Sequence, residues 1–191
     1  MARERKFTDE QLFKATKQLI IEDGYETFTF SKLASLLNVS RGSIYKYYEN
    51  KDELISEFLM YEMNRFLHEF QKLDKSGDFR TQFDSLIDFI FEQSNMNQVL
   101  EIIQEIPTNT TKRVADNKNR LNEYHIDMYQ QLQGLIDLGR KENVIKNHLP
   151  TAVLLGMTFQ TIAIPNHFKI PQDQWVASIK EILIHGMLKQ D

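Results

Sequence analysis

Apolar residues recur at intervals of three and four along most of this 191-residue chain. The first such run contains Leu12, Ala15, Leu19 and Ile20. That spacing places apolar side chains on one face of an α-helix, whereas a half-buried strand alternates every second residue. The segment 151–164 is apolar nearly all round, which predicts burial on more than one side. No segment shows convincing strand alternation, so we predict an all-α protein with about nine helices.

Residues that begin and end helices divide the N-terminal third into four predicted helices. The segment 8–11, Thr-Asp-Glu-Gln, has the pattern of a capping box. Gly24 suits the end of the first helix, and Asn38, which tolerates a left-handed backbone, suits the end of the second. Asn50 precedes a glutamate by three residues and predicts the start of a long fourth helix, from about Lys51 to Leu73.

Prolines and polar clusters divide the rest of the chain in the same way. A break is predicted at Ser76-Gly77-Asp78. The later helices are predicted at 79–94, at 99–106, from Asn109-Thr110-Thr111 toward Gly139 or Asn143, at 151–164, and after Pro171.

Residues 29–48 predict two short helices joined by a tight turn, with Thr29 and Ser40 as N-caps. Two short helices at a large angle joined by three or four residues form a helix-turn-helix. The second helix of this motif enters the major groove of DNA with its N-terminus first. The apolar positions that hold the two helices together are Leu33, Ala34, Leu37, Val39 and Ile44.

The exposed positions of the second helix carry groups suited to DNA. Arginine donates two hydrogen bonds to a guanine edge, and serine bonds base edges or phosphates. Tyrosine reaches phosphate through its hydroxyl, and a glycine lets the backbone come close. These positions are Arg41, Gly42, Ser43, Tyr45, Lys46 and Tyr47. The alternative is a structural motif whose cations are merely solvated.

The motif resembles that of TetR-family transcriptional regulators. The segment 39–54, VSRGSIYKYYENKDEL, is similar to the family signature, and 24–34, GYETFTFSKLA, matches the same family upstream. Asn38 stands where the family commonly has glycine, and Tyr48 stands where it commonly has phenylalanine. The family pattern places Tyr48 in the core of the small head.

The resemblance implies two domains and a set of DNA contacts. A helix-turn-helix DNA-binding domain is expected at 1–50, and a helical ligand-binding and dimerisation domain at 51–191. The implied DNA-contact positions are Thr29, Lys32, Arg41, Gly42, Ser43, Tyr45, Lys46, Tyr47 and Lys51. A basic N-terminal segment forms either an arm to the minor groove or a disordered tail; its cations are Arg3, Arg5 and Lys6.

Small residues on the segment 151–164 allow close approach of another helix. With the last helix, this segment resembles the pair that forms a four-helix dimer interface in the TetR family. The predicted interface residues are Ala152, Gly156, Ala163, Trp175, Ile179, Leu183 and Met187. The alternative is that they pack only within one chain.

Methionine and aromatic residues of the middle region suggest an apolar ligand pocket, because methionine adapts to irregular shapes and pockets are mostly apolar. The candidate pocket residues are Phe58, Tyr61, Met63, Phe83, Phe91, Met96, Tyr124, Met128 and Phe159. The alternative is that these side chains form ordinary helical core stripes.

Composition and charge restrict the function further. The chain has no cysteine, which excludes disulfides, thiolate zinc sites and cysteine nucleophiles. The net charge is −4, yet residues 1–51 hold nine Lys and Arg against seven Asp and Glu. No apolar run approaches the roughly 20 residues of a spanning helix. We therefore expect no membrane partner and a bacterial cytoplasmic location, with the protein on the nucleoid when it is bound to DNA.

No constellation of residues supports catalysis or a metal cofactor. The histidines lack metal-ligand spacing, and the chain has no Gly-rich phosphate loop, nucleophile elbow or His-Glu-x-x-His motif. Asp84, Asp88 and Glu92 suggest a solvated acidic face rather than a catalytic pair. We expect a non-enzyme that needs no cofactor; the histidines concerned are His68, His125, His148, His167 and His185.

Together these features predict a ligand-responsive, sequence-specific transcriptional regulator that acts as a homodimer. We predict a repressor that leaves a palindromic DNA operator when a small apolar or amphipathic ligand enters the body and displaces the fourth helix. Such a ligand must bind the two states with different affinity. The alternative keeps the fold but acts as a coactivator or adaptor through a protein partner, and a third option is an enzyme on a helical scaffold.

Overall fold

The computed structural model describes residues 6–93, 102, 105–107 and 111–187, and the side chains of these residues except that of Met187. Within these ranges the protein has eight α-helices and no β-strand, which confirms the all-α prediction. The helices are α1 (Asp9–Thr27), α2 (Phe30–Leu36), α3 (Arg41–Tyr45), α4 (Lys51–Gln71), α5 (Phe79–Glu92), α6 (Lys112–Lys141), α7 (Thr151–Gln160) and α8 (Gln172–Met187). A 3-10 turn, Thr161–Ala163, continues α7. The additional helix predicted at 99–106 falls mostly outside the described residues.

Local hydrogen bonds explain why the N-terminal helices begin and end where they do. The Thr8 hydroxyl accepts from the Gln11 amide at 3.1 Å, and the Gln11 side chain accepts from the Thr8 amide at 2.9 Å, so the predicted capping box is present. Gly24 interrupts α1 with a φ of +79°, a conformation that glycine adopts without steric cost. Asn38 has a φ of +52°, which confirms the left-handed residue predicted after α2.

The chain divides into two compact units. The first comprises residues 1–65 and 98–123 and is called the head unit here; the second comprises 66–97 and 124–191 and is called the body unit. The head unit is therefore larger than the DNA-binding domain predicted at 1–50, because it also includes the first part of α4 and the first part of α6. The functional division into 1–50 and 51–191 stays a prediction.

The head unit has its own hydrophobic core. Most of its buried members come from α1, α2, α3 and the first half of α4, because the apolar face of each helix is turned inward, and α6 adds Val114 and Leu121. Burial of this apolar surface is the dominant force that holds three short helices together. The largest fully buried side chains of the head unit are Leu12, Phe28, Leu33, Ile44, Leu54, Ile55, Phe58 and Leu59.

The body unit has a second core, rich in phenylalanine. Asp78 caps α5 by accepting from the Thr81 amide at 2.9 Å, as the break predicted at 76–78 requires. On the outside of α5, Lys180 of α8 lies 2.8 Å from Asp88 and 3.7 Å from Asp84, so two of the three acids predicted as a solvated face flank a cation. The core includes Phe70, Phe79, Phe83, Leu86, Ile87, Phe89, Ile90, Phe91, Met128, Leu132, Ile136, Ile145, Leu154, Leu155, Ile179 and Leu183.

Two glycines of α6 test how tightly this core is packed. A Cβ added at Gly139 would lie 2.6 Å from Ile145 Cδ1 and 2.8 Å from Phe79 Cδ2, whereas a Cβ at Gly134 would meet nothing within 4 Å. Both neighbours of Gly139 are fully buried and have no room to retreat. We expect Gly139→Ala to lower the free energy of unfolding by about 1–3 kcal/mol, and Gly134→Ala to raise it by roughly 0.5–1 kcal/mol. Urea denaturation of both variants measures this, and equal shifts would contradict the packing described.

No helix in the described ranges is long and apolar enough to cross a membrane.

Candidate nucleic-acid interface

The helix-turn-helix consists of α2, the turn 37–40 and α3. The turn is closed by the Val39 amide, which donates to the Ala34 carbonyl at 2.9 Å. Leu33 and Ile44, which join the two helices, have no exposed surface, and Ala34 is 3% exposed where the helices approach. These three are among the apolar positions assigned to the helix contact from the sequence. The motif therefore forms as predicted and leaves the outer face of α3 free.

The outer face of α3 presents a cation and aromatic rings to solvent. Arg41 is exposed, and its guanidinium lies 6.0 Å from the ring centroid of Tyr45 and donates to the Ser31 hydroxyl at 3.3 Å. Tyr45 in turn contacts the buried Phe30 edge-on, with ring centroids 4.9 Å apart. Lys46 is exposed beside them. Arg41 and Tyr45 are therefore held on the surface in a defined arrangement, which lowers the entropy lost on binding.

The serine hydroxyls at the start of α3 make hydrogen bonds different from those predicted. Ser40 occupies the N-cap position, but its hydroxyl bonds no backbone amide. Instead the Ser40 and Ser43 hydroxyl oxygens lie 2.9 Å apart. Ser43 is half-buried, so it presents less surface to a ligand than Arg41 does. The first amides of α3 are thus left without a side-chain cap, and backbone donors at a helix N-terminus favour an anion such as phosphate.

Two predicted phosphate contacts already have partners within the head unit. The Lys32 ammonium lies 2.7 Å from Asp23 Oδ2. The Lys51 ammonium donates to the Tyr25 carbonyl at 2.9 Å and lies 4.0 Å from the centroid of the Tyr25 ring. Thr29 caps α2 by accepting from the Lys32 amide at 3.3 Å. A phosphate would have to replace these partners, so Arg41 and Lys46 are the stronger candidates.

Tyr25 anchors the end of α1 to the start of α4. Its hydroxyl donates to Asp52 Oδ1 at 2.7 Å. Burial, and then the neighbouring Asp52 carboxylate, raise the pKa of Tyr25 well above its ordinary value. The phenol therefore stays protonated and keeps donating at any physiological pH.

Residues 41–48, which comprise α3 and the three residues after it, are called the recognition segment here; its third tyrosine, Tyr48, is 3% exposed, as the family pattern implied. Tyr47 is exposed, and its ring contacts Phe7 edge-on with centroids 5.9 Å apart. Lys6 is exposed, whereas Arg3 and Arg5 of the basic segment lie outside the described residues. The proposed contacts of Tyr47 and of this segment with DNA stay predictions.

Gly42 has no structural need to be a glycine. A Cβ built there would meet only the Ser40 hydroxyl, at 3.9 Å. Alanine is also the better helix former by roughly 0.5–1 kcal/mol. We therefore expect Gly42→Ala to keep or raise the melting temperature while weakening DNA binding several-fold, because the added methyl group separates α3 from the groove. Thermal unfolding and fluorescence anisotropy with operator DNA measure the two effects, and unchanged affinity would mean that DNA does not approach Gly42.

Arg113 of the head unit was not among the functional residues predicted from the sequence. Arg113, in the first turn of α6, donates from Nη1 to the Tyr47 carbonyl at 3.0 Å and stacks over the Tyr48 ring at 4.9 Å. Nothing in the spacing of apolar residues marks it, because it is a charged residue far from the motif in sequence.

The residues predicted to line a ligand pocket are divided between the two units. Phe58 and Met63 are buried in the head unit, and Tyr61 packs against Phe13 with ring centroids 4.8 Å apart. In the body unit, Phe83, Phe91 and Met128 belong to the buried core, Phe159 packs against it, and Tyr124 is half-buried. Met96 lies outside the described residues. Contact of these side chains with a ligand stays a prediction.

Two cavities lie elsewhere, and none of the described pocket candidates lines them. One, of about 290 Å³, lies in the head unit among α1 residues 20–26 and residues 102 and 105. The other, of about 260 Å³, lies in the body unit and has an apolar wall with a polar rim. It is lined by Phe70, Leu73, Asp74, Lys75, Gln82, Leu86, Gln131, Leu132, Gly134 and Leu135.

The residues predicted for a dimer interface lie in two environments. Ile179 and Leu183 are each 5% exposed and belong to the body core, and Trp175 packs against that core. Ala152 and Ala163 are exposed and Gly156 is half-buried; the side chain of Met187 is outside the described set. The exposed side of α7 and α8 also carries large apolar residues that the sequence did not single out, namely Val153, Met157 and Ile182.

Comparison with known proteins agrees with this geometry. Residues 12–58 match the sequence pattern of the tetR family of bacterial regulatory proteins. A helix-turn-helix transcriptional regulator of Haemophilus influenzae is 36% identical over 75 residues, and this chain spans 40% of its length. That alignment covers 39% of this chain.

Similarity to two further proteins extends beyond the head. The fatty acid metabolism regulator protein of Bacillus subtilis is 22% identical over 153 residues, which is 80% of this chain and 78% of that protein. The structure of FadR from Bacillus subtilis in complex with stearoyl-CoA has a TM-score of 0.68 at 20% identity, and it covers 94% of this chain and 99% of its own. At that identity the structural likeness shows a shared fold.

A helix-turn-helix within an all-α chain is the arrangement typical of DNA-binding transcriptional regulators. Residues 12–58 match the tetR family of bacterial regulatory proteins, and most of the chain shares the fold of a solved regulator, FadR from Bacillus subtilis.

Proposed function

We propose that this protein is a sequence-specific repressor that binds a palindromic operator as a homodimer. The observation that carries the proposal is the exposure of Arg41, Tyr45 and Lys46 on α3 and its C-cap, in a segment, 41–46, that has no acidic residue. Arginine bonds guanine edges in pairs and lysine neutralises phosphate, so the face suits the major groove. One head supplies few contacts, and family members of this type double them with two heads on one site.

The exposed apolar side of α7 and α8 supports the homodimer. Val153, Met157 and Ile182 are 52%, 60% and 70% exposed in the single chain. Large apolar side chains that are this exposed on two helices of the body unit are candidates for burial against a second copy of the chain. The small residues Ala152 and Gly156 beside them let a second backbone approach closely. We therefore keep Ala152, Gly156 and Ala163 in the proposed interface and replace Ile179 and Leu183 with the exposed residues.

The proposed ligand is an acyl compound, either a fatty acid or its coenzyme A thioester. The support is the body-unit cavity, whose wall includes Phe70, Leu86 and Leu132 and whose rim holds Lys75. Apolar walls bind an acyl chain and a cation favours a carboxylate or phosphate. The similar regulator whose structure contains stearoyl-CoA points to the same class. The ligand shifts α4, which contributes residues to both units, and changes the spacing of the two heads.

The first experiment selects random duplex DNA with the purified chain. Enrichment of a palindrome supports the proposal, and genes beside its genomic copies suggest what is regulated. Failure to enrich any sequence at low salt, with a folded dimer in size exclusion, overturns the DNA-binding proposal. A coactivator or adaptor that acts through a protein partner then becomes the better account.

The ligand proposal is tested separately by release from the selected operator. Acyl-CoA thioesters of increasing chain length, the matching fatty acids and free coenzyme A are titrated while anisotropy of labelled DNA is recorded. We expect release that depends on chain length and is absent with free coenzyme A. Gly134 lines the cavity and has room for an added side chain, so Gly134→Leu is expected to block release while operator affinity is kept.

The regulatory proposal includes a bacterial cytoplasmic location and no catalytic activity. The cytoplasmic location gives the protein access to DNA, and the family that matches residues 12–58 is one of bacterial proteins. The second is supported by the relatives described above, which are regulators. Turnover of an acyl-CoA thioester by the purified protein would contradict the second point.

A further inference from the structure

The guanidinium of Arg113 joins α6 to the end of the recognition segment. Its Nη1 donates to the Tyr47 carbonyl at 3.0 Å, and its carbon lies 4.9 Å above the Tyr48 ring. Its Nη2 pairs with the Glu57 carboxylate of α4. One planar side chain therefore contacts the segment after α3 and the second turn of α4 at the same time, all within the head unit.

The buried carboxylate of Glu53 strengthens this junction. Glu53 is 5% exposed, and it accepts from the Glu49 amide at 2.9 Å and from the Thr111 hydroxyl at 2.7 Å. Arg113 Nη1 lies 3.9 Å from the same carboxylate. A buried charge needs partners of this kind because it has lost its water. The connection between α3 and α4 is thus tied to residues 111–113 through two different side chains.

A third contact continues the junction along α6. The Asn117 side-chain amide, one turn after Arg113, donates to the buried Ser56 hydroxyl at 3.1 Å. Residues four apart lie on one helical face, so Arg113 and Asn117 both turn toward α4. The start of α6 is therefore fixed against α4, and Arg113 extends this contact to the recognition segment.

The chemistry of arginine fits this role better than simple packing does. The Arg113 side chain is 40% exposed, so an apolar residue or a lysine would suffice to cover the surface. Only the planar guanidinium offers donors in several directions while stacking on a ring. The carbonyl that it binds belongs to Tyr47, at the end of the segment whose side chains face the proposed DNA surface.

We infer that Arg113 is a positioning residue for DNA recognition: it sets the orientation of the recognition helix and thereby the half-site spacing that the dimer accepts. This inference rests on the proposed function. It needs two heads on one operator, since spacing has no meaning for a single head. Arg113 acts through Tyr47 and Tyr48 and makes no contact with DNA itself.

The test compares Arg113→Gln with Arg65→Gln on the selected operator and on versions with one base pair added to or removed from the spacer. Arg65 is the matched control, because it also pairs with a glutamate, Glu62, and lies over a tyrosine ring, Tyr61, at 5.8 Å, but not beside the recognition segment. We expect Arg113→Gln to weaken binding to the preferred operator about tenfold. Its binding to operators with a longer or shorter spacer should change little. The preference of Arg113→Gln for the original spacer length over the altered lengths, called spacing discrimination here, is then largely lost. Arg65→Gln keeps this preference.

Two further readouts separate positioning from other roles. The salt dependence of binding should be unchanged in Arg113→Gln, because a lost phosphate contact would lower its slope by about one per protomer. Glu57→Gln, which removes one anchor of the guanidinium, should reduce spacing discrimination to a smaller extent and serves if Arg113→Gln unfolds. Unchanged discrimination in both variants, or a lowered salt slope, overturns the inference. Failure of the wild-type chain to select any operator overturns the proposed function and this inference with it.

Discussion

Replacing Arg41 and Lys46 together with alanine should abolish sequence-specific DNA binding. A bidentate arginine contact to a base is worth about 1–3 kcal/mol, and the dimer makes it twice. Lys46 adds a phosphate contact in each half-site. We expect the dissociation constant for the operator to rise at least 100-fold, or about 2.7 kcal/mol. Electrophoretic mobility or anisotropy titration at fixed salt measures this loss.

The control removes the same charge elsewhere. Arg80 and Lys141 are exposed in the body unit, so Arg80→Ala with Lys141→Ala changes net charge equally. We expect this control to bind the operator like the wild type. Both variants should melt like the wild type, because Arg41 and Lys46 are exposed. Equal weakening by the two pairs would mean that binding depends on overall charge and not on α3.

Salt dependence divides the two roles further. Lysine on phosphate releases counterions, whereas arginine on a base supplies discrimination between sequences. Lys46→Ala alone should reduce the slope of the logarithm of the binding constant against the logarithm of salt concentration by about one per protomer. It should weaken binding to all DNA sequences alike. Arg41→Ala alone should relax the preference at one base position of each half-site.

The head could be predicted closely from sequence because its signals are local. Capping residues act over three or four positions, so Thr8 and Asn50 identify helix starts without knowledge of the fold. Asn50 does accept from the Glu53 amide, at 3.0 Å. Asn38 marks a left-handed turn for an equally local reason. The family pattern placed Tyr48 in the core, where the structure has it.

The body could not be predicted with the same detail, because a period of three to four identifies an apolar face and not what covers it. Ile179 and Leu183 of α8 were assigned to a dimer interface, yet the body core covers them. Ile182, one position earlier than Leu183, is exposed instead. Contacts between elements far apart in sequence, such as Arg113 with Tyr47, leave no periodic signal at all.

Charging the exposed apolar side of α7 and α8 should dissociate the dimer and remove operator binding with it. Met157 and Ile182 are 60% and 70% exposed in the single chain. Burying a carboxylate without a partner in an apolar interface costs several kcal/mol, and an interface shared by two identical chains carries each change twice. We expect Met157→Glu with Ile182→Glu to be monomeric by analytical ultracentrifugation and to bind the operator at least 100-fold more weakly.

A matched variant distinguishes loss of the interface from loss of the fold. Ile126 is a 47% exposed apolar residue of α6, so Ile126→Glu adds a single carboxylate on a helix other than α7 and α8 and should leave a dimer with normal operator affinity. Circular dichroism should show equal helix content in the wild type and both variants, because none of the three substituted side chains is part of the core. The monomer keeps Arg41 and Lys46 and therefore retains weak, salt-sensitive binding to single half-sites. A dimer that survives both glutamates would place the contact between copies on another surface, and loss of dimer with full operator affinity would show that one head is sufficient.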